Sequence, residues 1–172
     1  ELSCNELEGC IPRELGSLTE LRRLGLGNNK LRGEIPQELE NLENLRYLNL
    51  RCNQLDGTIP AALGQVYHLD LSQNELYGEV PLLKLQSTIL LNDNKLTGSP
   101  QIHVISNGIL DLHNNRLTGE LPDTILYENS GFCLNISENY FLEPIDLKGC
   151  NPAWKMHNAF QSFNFTAKSA RN

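Results

Sequence analysis

Leu24-Gly25-Leu26-Gly27-Asn28-Asn29-Lys30-Leu31 is the stretch that decides the architecture, because it does not stand alone. It returns as Leu48-Asn49-Leu50-Arg51-Cys52-Asn53-Gln54-Leu55, then over Leu69–Leu76, Ile89–Leu96, Leu110–Leu117 and Leu134–Phe141, with a partial first copy in Leu2, Asn5 and Leu7. The anchoring asparagines Asn5, Asn29, Asn53, Asn74, Asn94, Asn115 and Asn139 are spaced 24, 24, 21, 20, 21 and 24 residues apart. A fixed period of this length means a stack of similar coils rather than a conventional globule.

The pattern has a direct physical reading. Alternating Leu-x-Leu sends two side chains to one face of a short strand and the intervening residues to the other. One such strand per coil, stacked in register, makes a parallel sheet whose Leu face is a shared core. The Asn turns the chain out of the strand, and its amide can satisfy backbone groups that a buried turn would leave unpaired. No single coil buries its apolar side alone, so stability accumulates between neighbours along the stack.

Composition agrees. The chain of 172 residues is 40% hydrophobic and 20% charged, yet 32 residues are Leu and 20 are Asn, with one Met and one Trp. No apolar run approaches the roughly 18 residues that span a bilayer, and Glu1-Leu2-Ser3-Cys4 lacks a charged-then-apolar leader. A transmembrane or uncleaved secretory form is therefore not expected. Five Cys is an odd number, so at least one thiol is unpaired within the chain, and the redox compartment stays open. The net charge of -7 argues against a nucleic-acid binder, which needs clustered Lys and Arg. No acidic residue follows Asp146, whereas Lys148, Lys155, Lys168 and Arg171 do, which divides the chain into an acidic body and a basic tail.

After the anchoring Asn the coils continue as Leu31-Arg32-Gly33-Glu34-Ile35-Pro36, Leu55-Asp56-Gly57-Thr58-Ile59-Pro60, Leu76-Tyr77-Gly78-Glu79-Val80-Pro81 and Leu117-Thr118-Gly119-Glu120-Leu121-Pro122, with Leu7 to Pro12 matching too. These residues resemble the leucine-rich repeat, and more narrowly its plant-type version, over residues 1–147. The resemblance implies an α/β repeat fold: a solenoid of about seven coils with a short parallel β-sheet on the concave face and irregular or 3₁₀ segments on the convex side. It also implies a non-enzymatic recognition surface on the strand face, as in plant extracellular receptor domains or inhibitors of cell-wall-degrading enzymes, and favours an extracellular or cell-wall location, with an organelle or intracellular assembly as the alternative. Residues 148–172 lose the period and form a C-terminal cap or basic tail.

The departures are as specific. Leu96-Thr97-Gly98-Ser99-Pro100 is one residue short, and Glu143-Pro144-Ile145 replaces Gly-x-Ile-Pro in the last coil. The spacings of 20 and 21 are expected to delete most of the convex segment that longer coils carry as Leu39 to Leu45. The first coil has no polar cap, so either upstream residues are missing or a neighbouring subunit covers that edge. Trp154, Phe160, Phe163 and Phe165 can lie over the last coil, or grip an acidic neighbour. Cys133 and Cys150 flank the final coil at a spacing open to a capping disulfide, which sequence alone does not decide. Cys4 and Cys52 share a repeat position two coils apart, about 10 Å at sheet spacing and too far to bond.

Counting back six, four and two residues from each Asn gives the outward columns. They read Arg23, Tyr47, His68, Thr88, Ile109, Cys133; then Gly25, Asn49, Asp70, Leu90, Asp111, Asn135; then Gly27, Arg51, Ser72, Asn92, His113, Ser137. Arg23, Tyr47, Asn49, Arg51, His68, Asp70, Asp111 and His113 are the candidate partner-binding residues, with Tyr47 and Arg51 as anchors, since Tyr and Arg are enriched in hot spots. A shallow strip suits a protein or peptide better than a small molecule. His68, Asp70 and Ser72 alternate on one strand, nearly 7 Å apart and parallel, and so cannot converge as a triad. No third strong ligand accompanies His68 and His113 to hold a metal. No cofactor site is recognisable, and Gly25 and Gly27 precede no helix and only flatten one end of the face. Asn135-Ile136-Ser137 and Asn164-Phe165-Thr166 are sequons; Asn164 is the better acceptor if the chain is secreted.

Two functions follow. The first is a recognition module binding a protein or peptide on the strand face. The second is a structural subunit of a larger assembly, held through the uncapped N-terminal edge and the basic tail. A kinase-linked receptor would need a membrane span and kinase that this stretch of chain does not carry.

Overall fold

The computed structural model describes residues 1–85, 88–104, 108–120 and 133–141. Its organising element is a six-stranded parallel sheet built from Arg23–Gly25, Tyr47–Asn49, His68–Asp70, Thr88–Leu90, Ile109–Asp111 and Cys133–Asn135. Register is fixed by the repeat. Leu24, Leu48, Leu69, Ile89, Leu110 and Leu134 stand opposite one another in successive strands. The first coil continues the ladder, with the Leu2 and Cys4 N–H groups donating to Gly25 and Gly27 carbonyls at 2.8 and 2.9 Å. The inward residues form one continuous core: Leu48, Leu50, Leu69, Leu71, Ile89, Leu91, Leu110 and Leu112 are wholly buried.

The asparagines do what their chemistry allows. Asn74 Nδ2 donates to the Leu50, Leu71 and Ser72 carbonyls at 3.0–3.2 Å, and its Oδ1 accepts the Leu55 N–H at 3.1 Å. Asn53, Asn94, Asn115 and Asn139 repeat the same four bonds with their own neighbours. Each side chain thereby ties its coil to the preceding one and leaves none of its hydrogen-bonding capacity idle.

The Gly-x-Ile-Pro segment builds the second side. Glu8–Gly9, Lys30–Glu34 and Gln54–Asp56 form one small parallel sheet, and Tyr77–Glu79, Lys95–Gly98 and Arg116–Leu117 form another. Gly57 shows why the motif needs glycine: its φ is +79°, and a Cβ there would meet the Glu34 Cγ at 2.7 Å. The residue before each anchoring Asn is also left-handed, although none is glycine; φ is 54° at Cys52, 58° at Gln73 and 57° at Glu138. Asn tolerates that conformation and Gln, Glu and Cys do so only at a cost, so the tight bend out of the strand is imposed by the stack.

The convex side differs from the sequence expectation. Coils end in five-residue 3₁₀ helices at Arg13–Ser17, Gln37–Asn41 and Ala61–Gln65, each entered through a Pro with φ between -65° and -55°. The third of these lies inside a 21-residue spacing, so shortening has not deleted it. What is lost is the link to the next strand: Leu42 to Arg46 intervenes after Asn41, but only Val66 and Tyr67 after Gln65. In the next two coils the back becomes a pair of parallel strands, Leu83–Leu85 and Ile102–Val104. Leu83-Lys84-Leu85 and Ile102-His103-Val104 alternate with period two, which suits a strand and not a 3₁₀ turn. The motif that is one residue short is accommodated by Pro100, which is buried two residues after Gly98, where Ile35 and Ile59 sit relative to their own glycines.

Candidate functional site

The outward residues of the six strands make the candidate site. Register brings Arg23, Tyr47, His68, Thr88, Ile109 and Cys133 into one row, as the column arithmetic predicts. Within it the Arg23 Cζ lies 4.2 Å from the Tyr47 ring centroid, and on the other side the His68 ring stacks on Tyr47 with centroids 4.8 Å apart and planes 8° from parallel. Both faces of Tyr47 are thus occupied. The three planar groups form a ridge in which each side chain packs on its neighbour. Arg51 is exposed beside the ridge, with its Nε 3.3 Å from the Gln73 Oε1.

The second column turns out to serve the backbone. Asn49, Asp70, Asp111 and Asn135 each present an Oδ1 to the N–H two residues on, those of Arg51, Ser72, His113 and Ser137, at 3.0–3.3 Å. Glu1 does the same for Ser3, whose hydroxyl bond is the largest of the effects that hold the Glu1 carboxyl below the usual carboxylate range. Such an acceptor satisfies a donor that has left the strand ladder. Asp70 goes furthest: it is 6% exposed, Ser72 is 3% exposed, and the Ser72 hydroxyl donates to Asp70 at 2.6 Å. Asp70, expected on the exposed face, is thus a buried acceptor that closes its own strand.

Glycine also differs from expectation. Gly25 and Gly27 are buried, because Glu1 from the first coil and Asn49 from the third lean over them; a Cβ on Gly27 would meet the Asn49 Oδ1 at 2.5 Å. They make room for neighbours rather than a bare flat.

Apart from Asp70, the other seven candidates fall into two groups. Arg23, Tyr47, Asn49, Arg51 and His68 lie together on three adjacent strands, whereas Asp111 and His113 stand two coils beyond His68. Between them lies Leu90, half-buried, and beside Asp111 on its own strand stands Ile109, 46% exposed; the two make an apolar step. The alternation that marks a strand shows that Leu90 and Ile109 point outward, so a signal for them existed. His113 Nδ1 is 2.9 Å from the Ser137 Oγ, which is itself 2.8 Å from the Asn135 Oδ1. Asp111 takes the His113 backbone N–H and not its ring, so among the described residues no carboxylate orients the imidazole as a base. Asp70 and Ser72 do converge, at 2.6 Å and not the expected distance of about 7 Å, but the Ser72 proton is given to Asp70 while His68 stacks on Tyr47, so the three side chains form no relay. Among the described residues no group of His, Cys, Asp and Glu has metal-binding geometry.

Cys150, Asn164 and the aromatic tail lie outside the described residues, and so does the proposed Cys133–Cys150 pairing. Cys4, Cys10 and Cys52 are exposed thiols. No helix among the described residues is long and apolar enough to cross a membrane.

Comparison with known proteins supports the same architecture. The family model described as Leucine Rich Repeat matches residues 20–42, 44–66 and 109–127. No curated protein sequence matches the chain. Among solved structures, the plant peptide hormone receptor RGFR1 in complex with RGF2 is 33% identical, with a TM-score of 0.69 over 80% of this chain and 24% of that one. The ectodomain of the Arabidopsis receptor kinase HAESA, in complex with an N-terminally extended IDA peptide hormone ligand, is 30% identical, with a TM-score of 0.73 over 83% of this chain and 26% of that one. Pollen Receptor Kinase 3 is 27% identical, with a TM-score of 0.71 over 87% and 77%. The chain spans about a quarter of the two hormone-bound receptor structures. Its repeat motif, its asparagine ladder and these likenesses together place the chain in the leucine-rich-repeat family, within the plant-type repeat.

Proposed function

We propose that the chain is a non-enzymatic recognition module whose strand face takes an extended protein or peptide segment outside the cell. The observation that carries this is the Arg23–Tyr47–His68 ridge. Side chains already held in one arrangement lose little entropy when a partner arrives, so their contacts translate into affinity more fully than those of free surface residues. Beyond the ridge the face passes Leu90 to the coil that carries Ile109, Asp111 and His113, giving a planar cationic zone, an apolar step and a mixed apolar and polar end along the stack. An extended segment can touch all three zones, since successive strands are about 4.8 Å apart and a peptide advances about 3.3 Å per residue. Two of the similar receptor structures hold peptide hormones, which supports this class of partner and an extracellular location. The alternative of a structural assembly subunit gains nothing from these comparisons.

The test is selection of extended peptides from a displayed random library on the full chain, followed by affinity measurement. Tyr47→Ala should weaken the selected peptides by about tenfold or more, within the range of hot-spot truncations, and Arg51→Ala should weaken them less. Selected peptides indifferent to both substitutions would place recognition elsewhere.

A further inference from the structure

We propose that the back of the solenoid carries a small-molecule site, separate from the strand face, for a zwitterionic ligand with a flat apolar body, such as a free aromatic α-amino acid. The site exists because of the change in coil length. Where a back with the five-residue link Leu42 to Arg46 adjoins one with only Val66 and Tyr67, three residues' worth of chain is missing, and a cleft of about 590 Å³ opens. Sites for small ligands span roughly 300–1,000 Å³.

Its lining is specific. Leu42 and Val66 form a buried apolar floor, and the Tyr67 side chain stands beside it at 50% exposure. Two acids and two bases complete the rim: Glu40, Glu43, Arg46 and Lys84. The ion pairs of the described residues are Arg13–Glu14, Lys30–Glu6 and Lys95–Glu75, so none of these four is in one. Three are instead positioned by neutral partners. Arg46 Nη1 donates to the Glu43 and Leu45 carbonyls at 3.0 and 3.2 Å, Lys84 Nζ donates to the Gln65 Oε1 at 3.1 Å, and Glu40 accepts the Ala62 N–H at 3.2 Å. Positioned charges of both signs therefore surround an apolar floor without neutralising each other. A simple anion would meet Glu43, and a simple cation would meet Arg46 and Lys84. A ligand carrying an ammonium and a carboxylate on one carbon, with its ring over the floor and beside Tyr67, meets neither penalty.

Calorimetric titration of the full chain with L-phenylalanine, 3-phenylpropionate and phenethylamine tests this, since the last two each lack one charge. Phenylalanine should bind about tenfold more tightly than either analogue, a difference of about 1.4 kcal/mol. Lys84→Glu and Tyr67→Ala, both at the surface and checked for unchanged circular dichroism, should each weaken it several-fold. The proposal is overturned by the absence of phenylalanine binding at millimolar concentration, by an analogue binding equally well, or by affinity unchanged in both variants.

Discussion

The inward and outward halves of the same six strands obey different rules. Inward, each coil of these six strands presents an aliphatic pair and an Asn making the same bonds, so Asn29, Asn53, Asn74, Asn94, Asn115 and Asn139 are interchangeable in role. Outward, successive coils share a register but almost no residue type, and Arg23, Tyr47, His68, Thr88, Ile109 and Cys133 follow one another in a single row. The repeated half is what geometry demands of any such stack. The unrepeated half is free of that demand, and function has room to differ there. Substitutions should divide the same way, with stability lost from the inner half and affinity lost from the outer.

The largest effect is expected in the ladder. Asn74→Ala removes three donated bonds and leaves the N–H of Leu55, a wholly buried residue, without its acceptor. A buried donor left unpaired costs about 1–3 kcal/mol, and since the Leu50, Leu71 and Ser72 carbonyls keep donors from Asn53, Asn94 and Cys52, the loss should lie at the upper end of that range. Urea denaturation would show it. Asn5→Ala is the matched control, because Asn5 is exposed and donates only to Leu2 and Ser3 within its own coil. Equal losses at the two positions would break the distinction between a ladder rung and a surface Asn.

Asp70 is the residue that crosses the divide, outward by alternation and buried by packing. Asp70→Ala should cost about 1–2 kcal/mol, the penalty for stranding the buried Ser72 N–H and hydroxyl. Partner affinity should change little, because the carboxylate is already committed. A variant of unchanged stability with lost binding would return Asp70 to the recognition surface.

How far such distinctions could be read beforehand depends on whether a position's role is set within its coil or between coils. The Leu and Asn positions, the six-stranded register and the glycine turns were legible because one residue type recurs at one offset. The row containing Arg23, Tyr47 and His68 followed from the same arithmetic, but their stacking did not, since it depends on rotamers chosen across coils. Asp70 and Asn49 read as exposed polar groups because alternation says which way a side chain points and not what it can reach. The backs were hardest. Coil length alone does not distinguish losing a 3₁₀ helix from losing the link after it, and the alternation of Leu83-Lys84-Leu85 is three residues long. The cleft beside Tyr67 is a consequence of that unreadable step.

On the outer face itself, Tyr47→Ala should affect folding less than either substitution above. The loss of its contacts with Arg23 and His68 should cost about 1 kcal/mol, since stacking and cation–π contacts at partly exposed sites are each worth about 0.5–1.5 kcal/mol. Its effect on selected peptides should be larger than its effect on urea stability. The reverse ranking would make the ridge a structural strut and remove the basis for placing recognition there.

The smallest effect is electrostatic and lies on the second side of the coils, where neither rule is strict. Lys95 Nζ is 2.8 Å from the Glu75 Oε2, joining adjacent coils, and the hydrogen bond from Lys95, followed by its charge, holds the Glu75 carboxyl below the usual carboxylate range. A carboxyl whose folded pKa is depressed contributes stability above its unfolded pKa, and that contribution is lost as pH falls through the folded value. Both side chains are substantially exposed, at 56% and 45%, so salt should screen most of it. Denaturation of the wild type and Glu75→Gln, followed from neutral pH into the acid range, should show curves that converge as the pair is protonated. A gap that persists below the carboxylate range would mean Glu75 contributes through packing on the neighbouring coil, and the second side would then belong with the repeated, inward half.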